Sequence, residues 1–263
     1  MEIIDQILNK IYSYFDRGVE FLKHITRLEL MTKLNEISKK IHSSLVGLAI
    51  LFSTLLLIIL SIYTGEGLYV TYAVVSIVVL LFVSYLANDF HGACENLISA
   101  NKTTLSSNAI LRFSAIFSLI MAVLSLLGLI VSFFIGEIEQ SLTFLLSALI
   151  LYISAGTLFN PSLINVEVIK DSSSGEDFIT LFSSGLKSFV FFERIISSLL
   201  IIIGIFQIFA ILIKYEFLYA DLYSVGGLIL GGIAFPLLAY LIFTILWFIN
   251  SILLAILSLR KNQ

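Results

Sequence analysis

The sequence predicts an all-α polytopic membrane protein with six transmembrane helices arranged as three hairpins, and three observations support this fold class. Hydrophobic residues make up 59% of the 263 residues and charged residues only 13%, with a mean hydropathy of +1.06. Six apolar stretches are each long enough to cross the hydrocarbon layer, which takes about 20 residues of helix. Nearly all basic residues fall outside these stretches, on the side that becomes cytoplasmic.

The composition excludes several other classes of protein. The apolar fraction is too high for a disordered chain, and the single cysteine, Cys94, cannot form an intramolecular disulfide framework. The net charge of −3 lacks the basic excess of nucleic-acid-binding domains, so we expect no nucleic-acid partner. The partner that the composition does predict is the lipid bilayer.

The segment 1–42 is predicted to be a cytoplasmic amphipathic helical segment. Between Ile4 and Leu22, apolar residues recur at three- and four-residue steps with charged residues between them. Two interpretations remain open, namely a helix in the headgroup plane or against the protein itself, and a helix that binds another subunit or partner. Gly18 at a core heptad position weighs against an extended coiled coil.

The transmembrane domain is predicted to cover 43–259. Its six spans are about 43–63, 68–87, 113–135, 141–159, 195–213 and 223–259. Short turns join the first span to the second, the third to the fourth and the fifth to the sixth, so that each pair forms a hairpin. Longer segments separate the three hairpins.

The distribution of Lys and Arg predicts the orientation of the spans. All but one of the 15 basic residues lie before the first span, between hairpins or in the tail 260–263, and the exception is Lys214. Basic residues near span ends are retained in the cytoplasm. Both termini are therefore predicted to be cytoplasmic, in a bacterial-type inner membrane.

The segment between the fourth and fifth spans is predicted to contain a second amphipathic helix. The fourth span ends at Asn160-Pro161, because proline disfavours helical geometry at the residue before it. Ser173 and Glu176, or Ser174 and Asp177, then have the spacing of a capping box. We expect the helix that follows to run along the membrane surface before the fifth span.

Residues 88–95 contain the densest group of metal-ligand types, because His91 shares a helix face with Cys94 and Glu95. A metal site needs further ligands, and the other two histidines, His24 and His42, lie in a different segment. The simpler interpretation is the polar end of the second span, with Asp89 as its cap. We therefore predict no metal and no cofactor, and keep His91, Cys94 and Glu95 as the candidates.

Charged residues are absent from the central part of every predicted span. Glu193 and Arg194 lie at a span boundary, where a long side chain can reach water. This pattern argues against proton-coupled transport and against a charge-selective filter. Of the polar residues within spans, Gln207 and Asn250 are expected to hydrogen-bond between helices.

Small residues predict close helix packing in the third span. Ser118, Ala122, Ser125 and Gly128 fall on one helix face, where the fourth span or a neighbouring subunit can approach closely. A hydroxyl-lined pore would use the same residues, so both interpretations remain open.

The sixth apolar stretch is longer than one membrane crossing requires, since a helix rises 1.5 Å per residue. It contains Gly227, Gly231, Pro236 and Asn250. One interpretation is a broken helix whose backbone lines a solute pathway, as in many transporters. The other is a single long helix that is kinked at Pro236 and tilted.

The motifs of intramembrane enzymes do not occur in the sequence: it has no serine-protease elbow, no zinc-protease His-Glu motif and no catalytic aspartate pair. We therefore predict a non-enzymatic protein, a permeation or transport component that associates with itself through its small-residue faces. The competing hypothesis is a scaffold or regulatory subunit that recruits cytoplasmic partners through the N-terminal helix and the 161–193 loop.

Overall fold

The computed structural model describes residues 2–100, 102–105, 107–136, 138–168, 174–214 and 219–261. These residues are nearly all helical. The helices are α1 (Glu2–Ile25), α2 (Leu28–Thr64), α3 (Leu68–Ala100), α4 (Ala109–Ile135), α5 (Ile138–Phe159), α6 (Ser174–Phe191), α7 (Glu193–Lys214) and α8 (Tyr219–Lys261). Six of them, α2 to α5, α7 and α8, are long and apolar enough to cross a membrane, which confirms the predicted number of apolar helices.

Helices α2 and α3 extend well beyond their apolar stretches. Helix α2 begins at Leu28, and α3 continues to Ala100, so residues 88–95 lie inside a helix and Asp89 does not cap one. The reason is that helical backbone hydrogen bonds are made within the segment both in lipid and in water. A change in polarity therefore marks where a helix leaves the apolar region and not where it ends.

The chain divides into two compact units. The first comprises Met1–Lys33 and Thr103–Leu181, and the second comprises Leu34–Lys102 and Phe182–Gln263.

In the first unit, α4 packs along α5. Gly128 of α4 faces the ring of Phe144, and a Cβ atom at Gly128 would lie 2.7 Å from Cε1 of that ring. On the same helix Ala122 is buried, and Ser118 and Ser125 are half-buried. The absence of a side chain at Gly128 thus permits the close approach of α5.

The first unit also contains a two-stranded parallel sheet, which the sequence did not predict. Strand β1 (Thr103–Leu105) pairs with β2 (Val166–Val168). Leu105 and Val166 are buried. Parallel strands need a long crossover connection, and α4 and α5 provide it. Short runs of β-branched residues such as these carry too weak a signal to be recognised in a helical sequence.

Helix α5 ends at Phe159, the residue at which the fourth span was predicted to end. Asn160 follows, and its side-chain amide donates hydrogen bonds to the carbonyl oxygens of Thr26 (2.7 Å) and Gly156 (2.8 Å). A 3₁₀ helix, Pro161–Ile164, then leads into β2. Helix α6 starts at Ser174, and Ser173 of the predicted capping box lies outside the described residues.

Helices α2, α3, α7 and α8 form the apolar core of the second unit. Its buried residues are Val46, Ala49, Leu56, Leu60, Tyr69, Leu80, Ile201, Ile208, Ile211, Val225, Ile229 and Ile233. Helix α8 packs against both α7 and α3. The C-terminal half of α6 also belongs to this unit. Its Leu186 and Val190 pack in a second cluster with Cys94, Ile98 and Phe243, while Phe182 on the same part of the helix is exposed.

Helix α8 is a single helix that passes through Pro236. Because Pro236 has no N–H group, the carbonyl oxygen of Gly232, four residues earlier, lacks its usual helical donor. The hydroxyl of Ser197 in α7 donates to this oxygen at 2.6 Å, and Ser197 is fully buried. Of the two interpretations of the sixth apolar stretch, the structure has the long continuous helix, with the missing hydrogen bond supplied by a neighbouring helix.

We expect Ser197→Ala to lower the free energy of unfolding by about 1–2 kcal/mol, because it leaves the Gly232 carbonyl oxygen buried without a donor. Unfolding by SDS in mixed micelles, followed by circular dichroism, measures this change. Ser251→Ala is the matched control, since Ser251 is exposed and its hydroxyl donates to Trp247 of its own helix. Equal losses in the two variants would contradict the role assigned to Ser197.

Candidate functional site

Polar side chains of α2, α3 and α7 meet in the interior of the second unit. His42 of α2 is 8% exposed, His91 of α3 is 4% exposed, and Glu193, the first residue of α7, is 3% exposed. The ring centroids of His42 and His91 are 4.7 Å apart, with the two rings edge to face. We call these two residues the histidine pair.

Helix α7 holds both rings of the histidine pair. Nδ1 of His91 lies 2.7 Å from Oε1 of Glu193, and Nδ1 of His42 lies 3.1 Å from Oγ of Ser198. A carboxylate oxygen only accepts hydrogen bonds, so Nδ1 of His91 is the donor. Both rings therefore turn Nδ1 toward α7, which leaves Nε2 on the opposite side of each ring.

Three buried polar atoms at this site have no hydrogen-bond partner among the described residues. They are Nε2 of His91, Oε2 of Glu193 and Nε of Arg194. Such atoms are uncommon in proteins, because an unpaired buried polar atom loses its hydration without compensation. They are typical of sites that take up water, an ion or another ligand.

The histidine pair borders a cavity of about 290 Å³, which we call the histidine cavity. Its other lining residues are Ser43, Val46, Ser84, Tyr85, Ala87, Asn88 and Ile233. Tyr85 is 68% exposed, so the cavity reaches the surface of the second unit. A water molecule occupies roughly 30 Å³ in the liquid. The cavity is therefore large enough for a small hydrated solute.

A chain of charges leads outward from the histidine pair. Arg194 lies between two carboxylates, with Nη2 3.0 Å from Oε1 of Glu95 and Nε 3.6 Å from Oε1 of Glu193. Nζ of Lys39 is 2.7 Å from the same Glu95 oxygen. The expectation that Glu193 reaches water is wrong for this side chain, because His91 and Arg194 compensate its charge inside the protein.

The three candidate metal ligands of α3 have different contact partners. His91 contacts Glu193, Glu95 contacts Arg194, and Sγ of Cys94 lies 3.8 Å from the carbonyl oxygen of Pro236. Within the described parts of the chain, no group of three or more His, Cys, Asp or Glu side chains is placed to hold a metal ion. The neighbour of His91 is His42, on a helix that sequence spacing did not connect with it.

The α8 candidates lie in different surroundings. Gly227 is exposed and Gly231 half-buried, and a Cβ atom at either would meet no described atom within 4 Å. The close approach to α7 is made by Gly232 instead. Asn250 is 2% exposed, and its amide donates to the hydroxyl of Ser183 in α6.

A second cavity of about 290 Å³ lies among α2, α3 and α8, but its lining is almost entirely apolar. Its two serines, Ser53 and Ser76, donate to carbonyl oxygens of their own helices. This cavity therefore offers no free polar group to a solute, in contrast to the histidine cavity.

A buried lysine lies in α6, outside the six apolar helices. Lys187 is fully buried, and its Nζ lies 5.7 Å from the ring centroid of Trp247, within reach of a cation–π interaction. Burial disfavours the charged amine and lowers the pKa of Lys187 to about 8.

No family model matches the chain, and comparisons with curated proteins and with solved structures find no significant match. The six apolar helices and the histidine cavity are therefore the features from which we infer the function.

Proposed function

We propose that this chain is a non-enzymatic, six-span protein of a bacterial-type inner membrane, and that it is a permeation or transport component whose solute occupies the histidine cavity. The observation that supports this function is a polar cavity with a buried imidazole pair in a unit built from apolar, membrane-length helices. His42 and His91 lie in the polar ends of α2 and α3, and the burial of such groups costs hydration energy that a bound solute would restore.

The proposed arrangement is three hairpins with both termini in the cytoplasm. The basic residues support it, because all but one of them fall on one side of the proposed spans. His42 follows Lys39 and Lys40, and Glu193 precedes Arg194. In this arrangement the histidine cavity lies near the cytoplasmic ends of α2, α3 and α7, where a solute meets the cytoplasm.

The size and lining of the cavity suggest a small polar solute. The hydroxyls of Ser43 and Ser84 and the amide of Asn88 supply neutral hydrogen-bonding groups, and the histidine pair supplies imidazole nitrogens. A hydrated ion or a solute of a few heavy atoms fits a cavity of about 290 Å³.

Flux into liposomes tests the proposal. Purified full-length protein is reconstituted, and flux is followed with an internal pH indicator, an internal divalent-metal indicator and glycerol-driven swelling. We expect one of these solutes to cross faster than in protein-free liposomes, with at least a tenfold loss of flux in His91→Ala or His91→Asn. His24→Ala is the matched control, since His24 is exposed and pairs with Arg27 in the first unit. Sealed liposomes that contain folded, inserted protein would overturn the proposal.

The competing role is a scaffold or regulatory subunit that recruits cytoplasmic partners through α1 and the 161–193 loop. Exposed aromatic side chains favour it, because Tyr14 and Phe21 of α1 are 62% and 64% exposed and Phe178 of α6 is 74% exposed. A second copy of the chain could cover similar apolar surfaces, so self-association remains part of both proposals. A scaffold would leave the liposomes sealed, and removal of α1 would abolish capture of its partner.

A further inference from the structure

We propose that the histidine pair binds a divalent transition-metal cation of the Zn²⁺ or Co²⁺ class, and that this cation is the solute of the histidine cavity. Its role as transported solute rests on the proposed function. Binding itself does not, because it can be measured on protein in detergent.

Helix α7 orients the two imidazole rings through their Nδ1 atoms. Histidines that bind metals through one nitrogen usually donate the other N–H to a carboxylate, a backbone carbonyl or water, which fixes the ring and its tautomer. His91 has this arrangement, with Nδ1 2.7 Å from Glu193. His42 has the hydroxyl of Ser198 in the corresponding position, at 3.1 Å from Nδ1.

The contact of His91 with Glu193 uses Nδ1 and leaves Nε2 as the metal-binding nitrogen. With the proton of a neutral ring on Nδ1, Nε2 of His91 carries a lone pair, and it is buried without a hydrogen-bond partner among the described residues. A metal ion accepts such a lone pair directly.

The other polar residues that line the histidine cavity provide oxygen ligands. Ser43, Ser84 and Asn88 border the same cavity and offer oxygen atoms, and the cavity has room for water ligands. Imidazole nitrogens favour Zn²⁺, Co²⁺, Ni²⁺ and Cu²⁺, whereas Mg²⁺ and Ca²⁺ prefer sites made of oxygen ligands. Two imidazoles with neutral oxygens and water therefore predict selection of a transition metal.

A site with only two histidine ligands suits a transported cation, because such a cation must be released again. Structural zinc sites are closed by four protein ligands, while sites with open positions exchange their ligands. Conduction and transport need binding that is selective but weak enough for release. Two histidine ligands, on two different helices of the second unit, meet that requirement better than a complete cage.

Titration of the metal-free, full-length protein in detergent with Zn²⁺, followed by calorimetry, tests the site. We expect His42→Ala and His91→Ala each to weaken Zn²⁺ binding at least tenfold, and His24→Ala to leave it unchanged. Glu193→Gln should weaken binding by about tenfold or more, as loss of an orienting partner does at other metal sites. His42→Gln and His91→Asn replace the alanine variants if these do not fold, as judged by gel filtration.

The absorption spectrum of bound Co²⁺ adds a readout of the ligands. We expect bands of a nitrogen and oxygen environment that disappear in the His42→Ala, His91→Ala double variant. A thiolate charge-transfer band would place the metal at Cys94 and overturn the proposal. Equal Zn²⁺ affinity in the double variant and the wild type, or displacement of Zn²⁺ by an equal concentration of Mg²⁺, would also overturn it.

Binding and flux together separate this inference from the proposed function. Zn²⁺ binding at the histidine pair without flux of any solute supports the metal site and contradicts the transport role. Flux of another solute without Zn²⁺ binding supports transport and overturns the metal site.

Discussion

Glu193→Ala is expected to lower the free energy of unfolding by about 2–3 kcal/mol, because a buried polar group that loses its hydrogen-bond partner costs about 1–3 kcal/mol. The substitution takes away the carboxylate that lies 2.7 Å from Nδ1 of His91 and 3.6 Å from Nε of Arg194. The N–H group of His91 then remains buried without an acceptor, while Arg194 keeps its second carboxylate, that of Glu95. Unfolding by SDS in mixed micelles measures the loss, and gel filtration shows whether the variant is still folded before the titration.

Glu95→Ala is the matched control for this experiment. Glu95 contacts the same Arg194, at 3.0 Å, but its side chain is 46% exposed, and it also pairs with the exposed Lys39. Water replaces a partner at such a position, so we expect a loss of less than about 1 kcal/mol. If Glu95→Ala and Glu193→Ala lower the free energy of unfolding equally, the buried contact of Glu193 with His91 contributes no more to stability than the exposed contacts of Glu95.

Hydropathy predicted the six apolar helices because the requirement for about 20 consecutive apolar residues is local and strong. The end of α5 was also predictable, since proline acts on the residue directly before it. The extent of α2 and α3 was not. Their polar ends, 28–42 and 88–100, continue the same helices, and no local signal such as proline interrupts them.

The sequence identified only one member of the histidine pair, His91, as a candidate site residue. His91 stood out because it shares a helix face with Cys94 and Glu95, but its structural neighbours, His42 and Glu193, come from other helices. One signal was available. His42 directly precedes the first predicted span, His91 follows the second, and Glu193 precedes the fifth, so the proposed topology places all three at the same membrane face. Which side chains meet there depends on tertiary packing, which periodicity does not report.

Helix α7 connects the polar site with the packing of the second unit. Within two turns, Glu193 contacts His91 of α3, Ser197 donates to the Gly232 carbonyl of α8, and Ser198 contacts His42 of α2. Ile233, next to Gly232, lines the histidine cavity. We therefore expect a change in the distance between α7 and α8 to disturb the site as well as the stability of the unit.

Gly232→Val is expected to separate α7 from α8 and to lower the free energy of unfolding by about 3 kcal/mol, the upper end of the usual range for overpacked cores. A Cβ atom at Gly232 would lie 2.9 Å from Cγ1 of Ile201, 3.1 Å from its backbone nitrogen and 3.1 Å from Cβ of Leu200. Two of these three atoms, the nitrogen and the Leu200 Cβ, cannot move without the α7 backbone. SDS unfolding measures the loss of stability, and Zn²⁺ titration shows whether the histidine pair is disturbed at the same time.

Gly231→Val separates this steric effect from the helix propensity of valine. The two glycines are adjacent in the same helix, so the change in backbone and side-chain entropy is similar at both positions. At Gly231 a Cβ atom would meet no described atom within 4 Å, so we expect a change of less than about 1 kcal/mol there. A similar loss at both positions would mean that valine disturbs α8 itself near Pro236. A loss confined to Gly232 would show that the contact between α7 and α8 requires this glycine.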